Sequence, residues 1–214
     1  MEDFFPQVVF TIFDIPVRDT VISTWIMMAI IVGAAAIIGR RWPAALEMLV
    51  DFLNDTTSSV MGRPAGPYLP FLGALAIFIA VGNVIGIVPL VVSPTRDINT
   101  PAALALVVFF SVYYFGIRAK GLWGYIKDLA SPIFMLPMEL ISHVSRTLSL
   151  TLRLFGNIIS TELIVAVIFA LVPLFAPLLL VVFSMFTGIL QAYIFTVLAA
   201  VYIGAGMESM NNEQ

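Results

Sequence analysis

The sequence predicts an all-α integral membrane protein: five transmembrane helices plus an interfacial helix, with the last two helices long, strongly tilted and paired as a hairpin. Three observations lead there. Of 214 residues, 61% are hydrophobic and only 11% charged, where a soluble domain carries about 25% charged residues; the mean hydropathy is +1.06. Apolar runs of about 20 residues, the length that crosses a hydrocarbon core, recur between loops rich in Gly, Pro and basic side chains. The two C-terminal stretches are far longer than one crossing requires.

Other classes fall away quickly. The net charge of −3 says little, since the bilayer is the main partner, and zero cysteines exclude a disulfide framework, a metal–thiolate site and a thiol nucleophile. The opening MEDFFPQVVFTIFDIPVRDT is acidic and has no small-residue cleavage site, so no signal peptide is expected. Residues 1–20 read as an outer N-terminal segment of a single membrane domain covering 1–214. Residues 21–131 hold three spans with interfacial segments, and 132–214 hold the tilted hairpin and a cytoplasmic tail.

The first span runs from Val21 to Gly39 and stops at Arg40-Arg41. Pro43–Val60 has apolar residues at helical spacing and acids at Glu47, Asp51 and Asp55, the pattern of an amphipathic interfacial helix. GRPAGPYLP is a loop by its Gly and Pro content. The second span covers Tyr68 to Val92, SPTRDINT is the turn after it, and the third span covers Pro101 to Ile117. RAKGLWGYIKD then reads as a basic, aromatic interfacial segment. From Pro132 to Ala170 the sequence is compatible with one helix, and from Pro177 to Met207 with another, VPLFAP being the break. The first would be on the order of 57 Å long against a core of about 30 Å, a mismatch that calls for strong tilt.

Basic residues orient the chain. Arg40, Arg41, Arg63, Arg118, Lys120 and Lys127 fall in loops on one side, and only Arg18 and Arg96 on the other. The richer side is expected to be cytoplasmic, which places the N-terminus outside and the C-terminus inside. No internal repeat of the secondary-transporter kind is visible.

Polar residues in the C-terminal stretches are the candidates for function. Glu139, Ser142, Arg146, Ser149, Arg153, Asn157 and Ser160 step by 3 or 4, so all fall within about 40° of Arg153 on one helix face. An interface between helices needs only serine or asparagine as glue; two guanidinium groups there point to function. Ser149, Leu150, Gly156 and Asn157 occupy the positions one turn from Arg153, so no acid neutralises it within its own helix. Glu162 follows nine residues later and faces the opposite way. Two polar entrances, offset around a fixed positive charge, would separate ion access from the two sides. On the last helix Ser184, Thr187, Gln191 and Tyr202 share a face, opposite the polar helix of the hairpin.

Weaker signals have blander readings. His143 lies off the stripe and suits a packing role; Gly82 and Gly86 form a small-xxx-small pair typical of helix packing. Asn83 reads equally as the lining of an aqueous path or as a satisfied interhelical amide. No phosphate loop, nucleophile elbow or zinc motif is present, so no covalent chemistry, cofactor, metal or nucleic acid is expected of this chain alone.

LSLTLRLFGNIISTELI and GILQAYIFTVLAAVYIG closely resemble the two signature blocks of subunit a of the bacterial rotary F-type (F1Fo) ATP synthases. MELISHVSR, PTRDINTPAALAL and YLPFLGALAIFIAVGNVIGIVP extend the resemblance over most of the chain. It implies a stator subunit of the Fo motor, with two offset half-channels carrying protons to and from the c-ring and coupling their flow to rotation and ATP synthesis. The implied partners are the c subunits, the b subunits of the peripheral stalk, the F1 sector through the complex, and the lipid of a bacterial inner membrane. By the same resemblance Arg153 matches the essential stator arginine, and Glu162, Asn157 and Gln191 match polar residues of the outer half-channel. Glu139, Ser142 and Ser145 match positions on the cytoplasmic side, and Arg146 a place that is often basic. Ser184 stands where some members have a histidine, and Gly86 where some have an acid. The short N-terminal segment and RRWPAALEML resemble a branch proposed to pump sodium, which is the alternative coupling ion; a secondary ion transporter is the second reading.

Overall fold

The computed structural model describes residues 8–12, 15–86, 93–121, 124, 136–172 and 176–208. Apart from one small hairpin, every regular element among them is helical. That hairpin, β1 (Val8–Ile12) and β2 (Ile15–Arg18), is antiparallel with Ile12 opposite Ile15. The acidic reading of residues 1–20 predicts no such element. Its cause is the β-branched run of Val8, Val9, Thr11, Ile12, Ile15 and Val17, residues that fit a pleated surface.

Helix α1 (Asp19–Arg41) carries Asp19 in its first turn and Arg40 and Arg41 in its last, each sign complementing the helix dipole. Trp42 leaves the helical region because a proline follows, and Pro43 then opens α2 (Pro43–Met61) in the first-turn position that suits its missing N–H. Gly62 ends α2 at φ +64°, a conformation that costs glycine little. Leu53, Thr57 and Met61 form the buried stripe of α2, and Glu47, Asp51 and Asp55 are exposed on the other side. Met48 and Phe52 are exposed as well, so only part of the apolar face of this segment is covered within the chain.

Helix α3 (Leu69–Ile85), a 3-10 turn (Pro94–Arg96) and α4 (Asn99–Lys120) follow. The long pair is α5 (Leu136–Leu171, 36 residues) and α6 (Ala176–Glu208, 33 residues), both unbroken and within a few residues of the expected limits. Four described helices are long and apolar enough to cross a membrane: α1, α4, α5 and α6. The expected fifth, α3, is apolar but has 17 residues, about 26 Å of helix. The rest of that predicted span, 87–92, lies outside the described residues, as do Lys127, most of RAKGLWGYIKD and the start of the hairpin at Pro132.

Helix α6 is the axis of the bundle and packs against α2, α3, α4 and α5. Its Phe195, Ala199, Ala200 and Ile203 meet Leu72 and Ile79 of α3, Ala105 and Val108 of α4, and Leu150 and Leu154 of α5 in one apolar core. Glycine permits the closest approaches: a Cβ on Gly188 would lie 2.9 Å from Asn83 Cβ, and one on Gly206 would lie 2.9 Å from Val112 Cγ1. At one end of the bundle Tyr68 Oη donates to Met207 Sδ at 3.1 Å, and Arg63 Nη1 lies 3.8 Å from the same sulfur. At the other, Arg18 Nη1 donates to Asp97 Oδ2 at 2.7 Å. Arg18 and the residues around Arg96 thus gather at one end, and Arg63 sits at the other with the C-terminal end of α6, the grouping that the loop charges predict.

Candidate functional site

Helix α5 has three chemically distinct faces. Leu150, Leu154 and Ile158, one turn apart, are buried. Ser145, Ser149, Leu152, Arg153, Ser160 and Leu163 are exposed. Glu162 lies on the third side, half-buried against the rest of the chain.

The exposed face carries a cation, Arg153, with no acid beside it among the described residues. The ion pairs among the described residues are Arg18–Asp97 and Arg96–Glu162; Arg153 has neither an ion-pair nor a hydrogen-bond partner there. Its neighbours on this face are small: Ser149, Gly156 and Ser160, with open space around a Cβ built on Gly156. A second helix could approach Arg153 closely here.

Glu162 points instead into a cavity of about 570 Å³ between α3, α5 and α6. Asn83, Gly86, Ser93, Arg96, Thr161 and Ser184 supply its polar and small lining. Arg96 Nε lies 3.1 Å from Glu162 Oε2. The wall behind is a hydrogen-bonded network. Asn83 Nδ2 donates to the Gly188 carbonyl at 3.0 Å, Thr95 Oγ1 donates to Asn83 Oδ1 at 3.0 Å, and Ser93 Oγ donates to the Gly82 carbonyl at 2.8 Å. Both readings of Asn83 therefore hold at once: it is a satisfied interhelical amide, and it lines the cavity. Both glycines of the small-xxx-small pair are closely packed: a Cβ on Gly86, which also lines the cavity, would lie 3.0 Å from Ser93 Cβ, and one on Gly82 3.5 Å from Met27 Sδ.

The polar stripe of α6 runs along this pair. Ser184 is in the cavity, Gln191 is buried, and Tyr202 lies under Arg146, whose guanidinium carbon is 5.1 Å from the ring centroid. With Glu162 and Ser184 together at one end and Arg146 over Tyr202 at the other, α5 and α6 run antiparallel. That register sets Gln191 level with residues 155–157, within one turn of Arg153. Gln191 Nε2 has no hydrogen-bond partner among the described residues. Leaving such a donor buried costs about 1–3 kcal/mol, a strain that folded chains tolerate mainly at functional positions.

Arg146 is thus a packing cation rather than a second free charge. Cation–π contacts contribute about 0.5–2 kcal/mol, so Tyr202→Leu is expected to destabilise the fold by that amount and Tyr202→Phe to leave it unchanged. Thermal denaturation of the purified protein measures the difference. His143 packs its ring against Phe109 and Tyr113, with centroids 6.2 Å and 5.5 Å away.

Of the residues singled out by sequence, the structure brings Glu162 and Ser184 into one cavity and leaves Arg153 on the open face. Ser142 and Asn157 are half-buried at the edge of the stripe, and the Asn157 carbonyl accepts a hydrogen bond from Thr161 Oγ1 at 2.8 Å. Glu139 falls in the first turns of α5, and its side chain lies outside the described set. The sequence marks Arg96 only as a topology signal. Its role in the cavity depends on a tertiary contact that the spacing along one helix does not encode.

The family model described as ATP synthase A chain matches residues 20–204. The chain is 44% identical over 209 residues to ATP synthase subunit a 2 of a Bradyrhizobium species, covering 94% of each. It is 41% identical over 198 residues to ATP synthase subunit a 1 of Crocosphaera subtropica, covering 88% of this chain and 86% of the relative. It is also 42% identical over 196 residues to ATP synthase subunit a 1 of Chlorobium luteolum, covering 87% and 88%.

Proposed function

The chain belongs to the ATP synthase A chain (subunit a) family and is a multi-pass membrane protein; from that membership we propose that it is the Fo stator subunit that carries protons to and from a rotating ring of c subunits. The observation that supports this reading most strongly is the division of charge on α5. Arg153 is exposed and lacks a partner among the described residues, while Glu162 lies on another face in a polar cavity. A guanidinium inside a membrane is expensive and marks a functional site by default. One directed outwards, flanked by serine and glycine, suits a partner that brings its own acid.

The proposed mechanism follows from those positions. Protons enter from the outer side through the cavity lined by Glu162, Ser184 and Asn83, and reach a ring carboxylate near Gln191. The second path, on the cytoplasmic side, passes Glu139, Ser142 and Ser145. Asn157 sits one turn from Arg153, at the level of Gln191. Arg153 favours the ionised form of any carboxylate that comes within about 4–6 Å, so a loaded carboxylate must release its proton before passing. Once past Arg153 it reloads from the opposite path and carries the proton, neutral, through nearly a full rotation before the next release. The driving force is about 2.3 kcal/mol per charge per 100 mV. Arginine suits the gate because it keeps its charge even when partly dehydrated. Five membrane crossings, with α3 completing the set, place the N-terminus outside and the C-terminus in the cytoplasm; the length of α5 and α6 requires them to lie obliquely. The b subunits and, through them, F1 complete the assembly.

The test is co-purification of the chain with a ring of small hairpin subunits and with ATPase subunits, followed by ATP-driven proton uptake in vesicles. Glu162→Gln is expected to slow uptake about tenfold, equivalent to ~1.4 kcal/mol, with assembly intact. Unchanged uptake over a wide pH range would remove Glu162 from the path, and uptake that requires sodium would replace the proton as the coupling ion.

A further inference from the structure

Arg96 belongs to none of the roles above, yet it sits against the acid of the cavity. We propose that Arg96 is a positioning residue for ion access: it holds the Glu162 carboxylate at a fixed place on the cavity wall and cancels its charge. The inference rests on the proposed function, because it names a second participant in the same path.

The geometry carries it. Arg96 closes the 3-10 turn, and the residues on either side of it are tied to different helices. Thr95 is bonded to Asn83 of α3, and its hydroxyl also lies 2.8 Å from Ser93 Oγ. Asp97 receives Arg18 at 2.7 Å and the amide and side chain of Asn99 at 3.1 and 2.8 Å. The backbone at Arg96 is itself bonded to the Ser93 carbonyl at 3.1 Å. The backbone that delivers the guanidinium is thus tied on both sides, which fixes the point on the cavity wall from which Arg96 meets Glu162. The side chains are 15% and 32% exposed, so neither charge is freely hydrated. Desolvating such a pair costs more than its attraction returns unless the geometry is favourable, which argues against a purely stabilising purpose. Among the described residues lining the cavity, Arg96 and Glu162 are the charged ones. An incoming cation therefore meets a neutral wall, and it binds Glu162 only by competing with a tethered guanidinium. Binding stays weak enough for release, the condition for conduction. Without Arg96 the acid would hold the ion and swing freely.

A double-mutant cycle in the assembled complex tests this, with ATP-driven uptake in vesicles as the readout and the amount of complex measured in parallel. Arg96→Gln and Glu162→Gln are each expected to slow uptake about tenfold, and the double variant also about tenfold, because residues that act as a unit do not add. A double variant slowed by the product of the two single losses would show that Arg96 acts independently of Glu162 and would overturn the proposal. So would an Arg96→Gln variant with normal uptake beside an impaired Glu162→Gln. Normal uptake in both single variants would instead sink the assignment of the cavity to the ion path. If Arg96→Gln lowers assembly, Arg96→Lys, which keeps the charge as a point contact, enters the cycle in its place; the same non-additivity is expected, and additive losses again overturn it.

Discussion

Replacing Arg153 by alanine is expected to abolish ATP-driven ion pumping while the complex still assembles. The expected loss is at least about a hundredfold, ~2.7 kcal/mol or more of barrier, because the proposed gate depends on a single fixed charge. Folding is expected to be nearly indifferent. Arg153 is exposed, touches no ion-pair or hydrogen-bond partner among the described residues, and stands outside the apolar core, so its removal should change stability by no more than about 0.5 kcal/mol. Arg153→Lys keeps the charge but concentrates it and loses the planar fork; it should pump better than alanine and worse than the native residue. Fluorescence quenching in inverted vesicles, normalised to complex content, measures all three. Coupled pumping by the alanine variant would contradict the gate.

The second large effect is structural. Gly188→Val places a branched side chain where a Cβ alone would lie 2.9 Å from Asn83 Cβ. It also pushes apart the helices joined by the Asn83–Gly188 hydrogen bond at 3.0 Å. Overpacking costs about 1–3 kcal/mol, and the lost bond adds about 1 kcal/mol. The site is also the wall of the Glu162 cavity, so both the yield of assembled complex and its transport should fall. Detergent-solubilised thermal stability and proteolysis of the membrane-embedded chain measure the first effect.

What the sequence reveals depends on how local each feature is. The limits of α5 and α6 were legible because a polar stripe at steps of 3 and 4 can only be a helix, and VPLFAP interrupts it. The opposed directions of Arg153 and Glu162 were legible for the same reason: azimuth on one helix follows from counting residues. The ion pair of Arg96 with Glu162 was not, since the partners are far apart in sequence and belong to different elements. Periodicity gives the face a side chain occupies but not what packs against it. Arg146 shows the same gap. It shares a stripe with Arg153, yet Tyr202 of α6 takes it up as a packing cation. The N-terminal hairpin was missed because its β-branched run lies between acidic residues, and hydropathy over a long window averages such short strands away. The second span was placed by apolar length alone, while the described helix ends at Ile85.

The central claim is that the Arg153 face of α5 meets the rotor. The chain has no cysteine, so a single introduced thiol reports one position. Thiol cross-linking in native membranes from Ser149→Cys, Leu152→Cys and Ser160→Cys, each on the exposed face, should capture ring subunits. Leu150→Cys and Leu154→Cys, on the buried face, should capture none. Cross-links to the ring from the buried positions, or none from the exposed ones in a complex that still contains the ring, would contradict the account.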